Sequence, residues 1–85
     1  MYRIYTEDKG YVGRARVARV LTAHKIGATI YQAQGYWRDV AEDALIVDLD
    51  NISHATAIAI ALDIKSELAQ EAVLVVELQS TSTVV

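Results

Sequence analysis

The sequence predicts an α+β domain in which two helices cover one face of a four-stranded antiparallel sheet. Three observations support this prediction: four short β-forming segments, two segments with apolar residues at helical spacing, and short connections between them. The segments follow the order βαββαβ, the ferredoxin-like arrangement. A chain of 85 residues can bury one core. We therefore expect a single domain over residues 1–85, with residues 79–85 as a frayed tail.

The first half of the chain is predicted to form a strand, a helix and a second strand. Tyr2–Thr6 alternates in polarity and is rich in β-forming residues. Residues 12–24 place apolar side chains at helical spacing, and Gly27 ends this helix. Residues 28–35 alternate again, as a strand does. Residues 36–43, with the sequence YWRDVAED, are predicted to form a loop.

The second half is predicted to form a strand, a helix and a last strand. Residues 44–50 are the clearest strand, with Leu45, Val47 and Leu49 on one face. A helix capped by Ser53 or Asn51 is predicted to run to about residue 70. Its apolar stripe consists of Ala57, Ile60, Ala61, Ile64 and Leu68. Residues 72–78 complete the sheet.

The sheet face away from the helices is predicted to remain partly apolar. Such a face usually has something packed on it, so we expect an oligomer. The residues assigned to it are Tyr5, Tyr31 and Ile46, with either Val73 and Val75 or Leu74 and Val76.

Composition narrows the classes of function. Hydrophobic residues make up 53% of the chain and charged residues 22%, as in a compact domain. The chain contains no cysteine, which excludes disulfides and thiolate chemistry. No secretory signal or apolar run of membrane-spanning length occurs. We therefore expect a cytoplasmic protein without a membrane partner.

Charge is divided unequally along the chain. Up to Arg38 there are seven basic residues against two acidic ones, and from Asp39 onward one lysine against nine acidic residues. This division favours an anion site in the first half or contacts between basic and acidic faces of two subunits. The net charge of -3 argues against a nucleic-acid polymer as the partner.

Two stretches carry a resemblance to a known family. They are GATIYQAQGYWRDVAEDALIVDLD, with its Gly-x-Trp and following Glu, and LAQEAVLVVEL. With the element order, they make most of the chain similar to the PII/CutA-like group. The resemblance implies a homotrimer with ligand clefts between subunits, lined by the hairpin loop. PII signalling proteins bind nucleotides in such clefts. The chain lacks their glycine-rich phosphate-holding stretch, so neither ATP binding nor CutA-like metal binding is carried over.

Tyr36, Trp37 and Arg38 are the best candidates for a ligand site. An aromatic face can stack on a planar group, and a neighbouring guanidinium can hold a phosphate or carboxylate. The alternative is a plain interface, in which Trp37 contacts another subunit and Arg38 pairs with Glu42 or Asp39.

The first predicted helix is a second candidate. Arg14, Arg16 and Arg19 make it basic, and Gly10 and Gly13 could let backbone N–H groups meet an anion at its start. The alternative is a solvated helix face. Further candidates that packing explains equally well are Thr29, Tyr31 and Gln34.

The sequence offers little for metal or acid–base chemistry. His24 and His54 could meet Asp48 or Asp50, but two histidines without an i, i+4 partner are usually surface or capping residues. Asp48 and Asp50 share a strand face, and solvated strand charges are the alternative to a carboxylate pair. We predict no metal, no cofactor and no catalytic residue.

The leading hypothesis is a non-enzymatic, PII-like oligomer that holds a small anionic or nucleotide-type ligand between its subunits. A specific form is a phage-encoded anti-defence sponge that sequesters nucleotide immune signals of the host. The second hypothesis is a regulatory interaction module that docks a protein through residues 36–43. The third is a small ferredoxin-like enzyme.

Overall fold

The computed structural model describes residues 1–79, apart from the side chain of Trp37. Over these residues the chain forms four strands and two helices in the predicted order, which confirms the ferredoxin-like α+β fold. Of the predicted tail, residues 80–85 lie outside the described part. The elements are β1 (Tyr2–Glu7), α1 (Gly10–Ala23), β2 (Ala28–Trp37), β3 (Val40–Leu49), α2 (His54–Glu67) and β4 (Leu74–Glu77).

The strands lie in the order β2-β3-β1-β4, and every neighbouring pair is antiparallel. The first strand of the sequence is therefore an inner strand of the sheet. Tyr2 lies opposite Leu49 on one side and Glu77 on the other. The strands β2 and β4 form the two edges.

The hydrophobic core lies between the helices and one sheet face. Alternate residues of β1 and β3 point into it, so that Ile4, Val47 and Leu49 have no exposed surface. The predicted apolar stripe of α2 is confirmed, because all five of its members are buried. From α1 the core receives Val17, Val20 and Leu21.

Local chemistry sets the helix ends. Ser53 is the N-cap of α2, and its Oγ accepts a hydrogen bond from the Thr56 N–H at 3.1 Å. This settles the choice between Ser53 and Asn51. The first helix begins at Gly10, whose φ of 77° suits glycine. The second ends at Glu67, slightly before the predicted position.

The prediction of a loop over residues 36–43 is wrong. The second and third strands continue through this stretch and are joined by a two-residue turn at Arg38 and Asp39. Both turn residues have positive φ, 49° and 63°, as a type I′ turn requires. The twist of a type I′ turn matches the right-handed twist of the flanking strands, so the pairing of β2 with β3 continues up to the turn.

None of the described helices is long and apolar enough to cross a membrane.

Candidate functional site

A hairpin arm, defined as residues 34–43, projects past the rest of the sheet. The first strand pairs with β3 only over Ala44–Leu49, so among the described strands the outer residues of β3 have β2 alone as a neighbour. Tyr36 and Val40 on this arm are 74% and 58% exposed. Exposed apolar groups on a projecting hairpin are suited to contact with another molecule.

The sheet face that neither α1 nor α2 covers is called here the helix-free face. It carries three polar side chains that contact one another, which we call the Arg3–Asp48–Tyr31 triad. Arg3 donates from Nε to Asp48 Oδ1 at 2.7 Å and from Nη2 to Oδ2 at 3.0 Å. The hydroxyl of Tyr31 donates to the same Oδ2 at 3.1 Å. The carboxylate thus accepts three hydrogen bonds, two of them in the bidentate geometry that arginine favours.

The triad fixes the charge of each member. Arg3 holds the pKa of Asp48 below its ordinary value, chiefly through their hydrogen bonds. Loss of solvent raises the pKa of Tyr31, and the hydrogen bond to Asp48 raises it further. The bond to Asp48 also raises the pKa of Arg3. At neutral pH the group is a carboxylate, a guanidinium and a neutral phenol, so Asp48 is not suited to donate a proton as a general acid.

Apolar side chains surround the triad. Ile46 lies between Tyr5 and Tyr31 in the ladder and is only 9% exposed. Of the alternatives in β4, the register assigns Leu74 and Val76 to this face, opposite Tyr5 and Arg3. Leu74 is 59% exposed. The prediction of a partly apolar second face is therefore confirmed.

A third feature is an open notch of about 870 Å³ between the arm and the start of β4. It occupies the space that β1 would fill if that strand continued past Glu7. Carboxylates dominate its charge, with Lys9 as the single basic residue among the side chains that line it. Its acidic residues are Glu7, Glu42, Asp43 and Glu71.

The basic helix α1 uses two of its arginines within the chain. Arg14 Nε lies 3.3 Å from Asp8 Oδ1, and Arg16 Nη1 donates to the Glu67 carbonyl oxygen at 3.3 Å. Gly13 has a packing role, because a Cβ there would lie 2.8 Å from Lys9 Cβ. These contacts favour the alternative, a solvated helix face, over an anion site.

The histidines lie in different contacts. His24 Nε2 is 2.7 Å from Asp63 Oδ2 and joins the end of α1 to α2. The ring of His54 packs against Tyr2 with centroids 5.7 Å apart. Over residues 1–79, no three His, Cys, Asp or Glu side chains are grouped as metal ligands would be.

The predicted ligand residues fall in three places. Tyr36, Trp37 and Arg38 belong to the arm, where the Tyr36 hydroxyl donates to Gln34 Oε1 at 3.3 Å. Thr29 and Tyr31 lie opposite Asp48 and Ile46, on the face of the triad. The two arginines of α1 lie on the helix side. Within one chain these residues do not form a single pocket.

Arg3 was absent from the predicted site, although it donates two of the three hydrogen bonds of the triad. The sequence shows only an arginine in one strand and an aspartate in another. Their pairing can be recognised once the register places Arg3 directly opposite Asp48.

The fold and these surfaces define a class: a ferredoxin-like α+β domain with an elongated hairpin and a helix-free face of mixed apolar and charged character. No protein-family model matches the chain, and the curated proteins contain no match to it.

Proposed function

We propose that this protein is a non-enzymatic binding protein that acts as a homo-oligomer, most simply a trimer, and holds a small anionic or nucleotide-type ligand between subunits. The observation that carries the proposal is the helix-free sheet face. It presents Leu74 and Val76 beside the triad, and such a face is stabilised when a second surface covers it.

The arm supports the same proposal. It extends beyond its own sheet, so its tip can reach a neighbouring subunit, and the separated candidate residues of one chain can then meet those of another. The guanidinium of Arg38 supplies the charge that an anionic ligand needs. Tyr36 and Trp37 are neighbours in one strand and belong to opposite faces, so one of the two rings can stack on a planar group such as a base. In a phage, a protein with such a site would sequester nucleotide immune signals of the host.

The first test is native mass spectrometry of protein purified from cells, which gives the subunit number and the mass of any retained molecule. The proposal expects a trimer or a larger ring with additional mass. A monomer without added mass would contradict both parts of it.

A matched pair of variants tests whether the sheet face is the contact. Val76→Lys places a second positive charge opposite Arg3 and is expected to shift the oligomer toward monomer. Leu62→Lys is the control, because Leu62 is 57% exposed on α2 and lies away from this face. If both variants dissociate the protein equally, the sheet face is not the specific contact.

Trp37→Ala tests the ligand part of the proposal. We expect it to abolish ligand retention and to leave the circular dichroism spectrum and the subunit number unchanged. Tyr11→Ala is the control, since Tyr11 is 82% exposed on α1. Dissociation of Trp37→Ala would show instead that the tryptophan belongs to an interface.

The second candidate function is a regulatory module that docks a protein target through the arm. The projection of Tyr36 and Val40 into solvent favours it. It predicts an arm variant that loses a protein partner while no small molecule is retained by the unmodified protein.

A further inference from the structure

We propose that the notch binds an extended, lysine- or arginine-rich segment of a partner protein, which pairs with the free edge of β3 and lies between the arm and the start of β4. This inference is independent of the oligomer and of the ligand proposed above. It is a form of β-strand addition, in which backbone hydrogen bonds give affinity and side-chain contacts give specificity.

The register identifies the free backbone groups. In an antiparallel ladder, alternate residues direct both N–H and C=O toward the same neighbour. The turn at residues 38–39 makes Trp37 and Val40 the last hydrogen-bonded pair of the hairpin. Even-numbered residues of β3 therefore bond to β2, and odd-numbered ones face β1. The bond from the Asp8 N–H to the Asp43 carbonyl, 3.1 Å long, agrees with this assignment.

Two residues of β3 thus have groups that point into the notch. These are the N–H and C=O of Ala41 and the N–H of Asp43, for which the described residues provide no strand partner. Three residues of strand span roughly 10 Å, enough for a short ladder. Unpaired strand edges of this kind are templates for pairing with another chain.

The first strand is prevented from filling the space itself. The carbonyl of Glu7 accepts a hydrogen bond from Gln70 Nε2 at 3.4 Å, and Gln70 Oε1 accepts one from the Thr6 hydroxyl at 2.7 Å. The carboxylate of Asp8 accepts the N–H of Gly10 at 3.0 Å, where α1 begins. These contacts direct the chain out of the sheet after β1, so hydrogen bonds of the fold itself keep the notch open.

Charge selects a basic segment over an acidic or neutral one. Lys9 Nζ lies 3.9 Å from Glu7 Oε2 and offsets that carboxylate. Glu42, Asp43 and Glu71 are exposed and bring three further carboxylates to the lining of the notch. Their charge favours a segment that is rich in lysine or arginine. The exposed side chain of Tyr36 lines the notch and offers apolar contact to the residues between the lysines or arginines of the segment.

The outer edge of β2, like that of β4, is also unpaired in the described sheet. Alternation assigns the backbone groups of Gln32 and Gln34 to it. It provides a matched control, because the same chemical change can be made on either side of one hairpin.

The experiment measures fluorescence anisotropy with a labelled eight-residue peptide of alternating lysine and valine. The reference peptide has glutamate in place of lysine. We expect the lysine peptide to bind at least tenfold more tightly than the glutamate peptide. Ala41→Pro removes the N–H that faces the notch and none of the bonds to β2, and is expected to weaken binding at least tenfold. Glu71→Lys, outside the hairpin, is expected to weaken it at least fivefold.

Gln32→Pro, on the outer edge of β2, is expected to leave the affinity unchanged, and circular dichroism checks that every variant is folded. Failure of the lysine peptide to bind overturns the proposal, as does equal binding of the two peptides. An affinity lost in Gln32→Pro and kept in Ala41→Pro would assign binding to the outer edge instead. Self-association abolished by Ala41→Pro, without peptide binding, would make a second copy the occupant and would also overturn it.

Discussion

The turn of the hairpin arm offers the sharpest test of its geometry. Arg38 and Asp39 both adopt the left-handed conformation, with φ of 49° and 63°. For an L-residue this conformation costs about 1–2 kcal/mol, and aspartate bears less of that cost than most. Glycine adopts it freely but loses about 0.5–1 kcal/mol through its greater freedom in the unfolded chain. We therefore expect Asp39→Gly to raise the free energy of unfolding by roughly 0.5 kcal/mol.

The assay is urea denaturation followed by circular dichroism, with amide hydrogen exchange as a local readout. With a slope of about 1–3 kcal/mol per molar urea, the midpoint should rise by roughly 0.2–0.5 M. Exchange of the Val40 amide, which the ladder assigns to the pair beside the turn, should slow in parallel.

The control is Asp39→Ala, which keeps the strain and removes the polar side chain that tolerates it. We expect this variant to be no more stable than the unmodified protein. If the glycine and alanine variants shift the midpoint in the same direction, the left-handed turn is not the reason for the change.

Three other predictions follow from the described contacts. Asp48→Asn should lower the free energy of unfolding at neutral pH. The fold lowers the pKa of Asp48, so the stabilisation by its carboxylate is complete above the ordinary pKa of about 4 and is lost as the pH falls through the lowered pKa. Urea titrations of the two proteins should therefore give the same midpoint in acid. Ser53→Ala removes the cap of α2 and should cost about 1 kcal/mol, measured by thermal unfolding, with the equally exposed Ser66→Ala nearly neutral. Ile4→Ala leaves a cavity in the core and should cost about 2–5 kcal/mol in urea, and a cost below 1 kcal/mol would contradict its complete burial.

Periodicity was enough to predict the fold. Alternation in β3 and the helical stripe of α2 both come from burial on one side, which a linear sequence displays directly. The N-cap at Ser53 could also be predicted from the sequence, because capping depends only on neighbouring residues. The order of elements then left the ferredoxin-like arrangement as the natural packing.

The arm was not predictable in the same way. Type I′ turns are usually marked by Asn-Gly or Asp-Gly, and Arg38-Asp39 carries neither signal. Residues 40–43 are all exposed, so this part of β3 shows no alternation of buried and exposed residues and resembles a loop in sequence.

The candidate site was least predictable because it depends on register. The triad joins residues of different strands, and the notch exists because one strand stops before its neighbour does. The spacing of residues along the chain reveals neither the pairing within the triad nor the point at which β1 ends. Charge division did predict an acidic second half, and the notch draws Glu42, Asp43 and Glu71 from it.

The inner position of β1 has a consequence for the order in which the protein folds. The hairpin of β2 and β3 pairs residues that are close in sequence, and isolated hairpins form in about 1–10 μs. In contrast, Tyr2 must find Glu77, at the other end of the described chain. Non-local pairings of this kind are slow because the intervening chain must first be closed into a loop. We therefore expect β1 to pair with β3 after the hairpin has formed, and β4, whose only neighbour among the described strands is β1, to complete the sheet last.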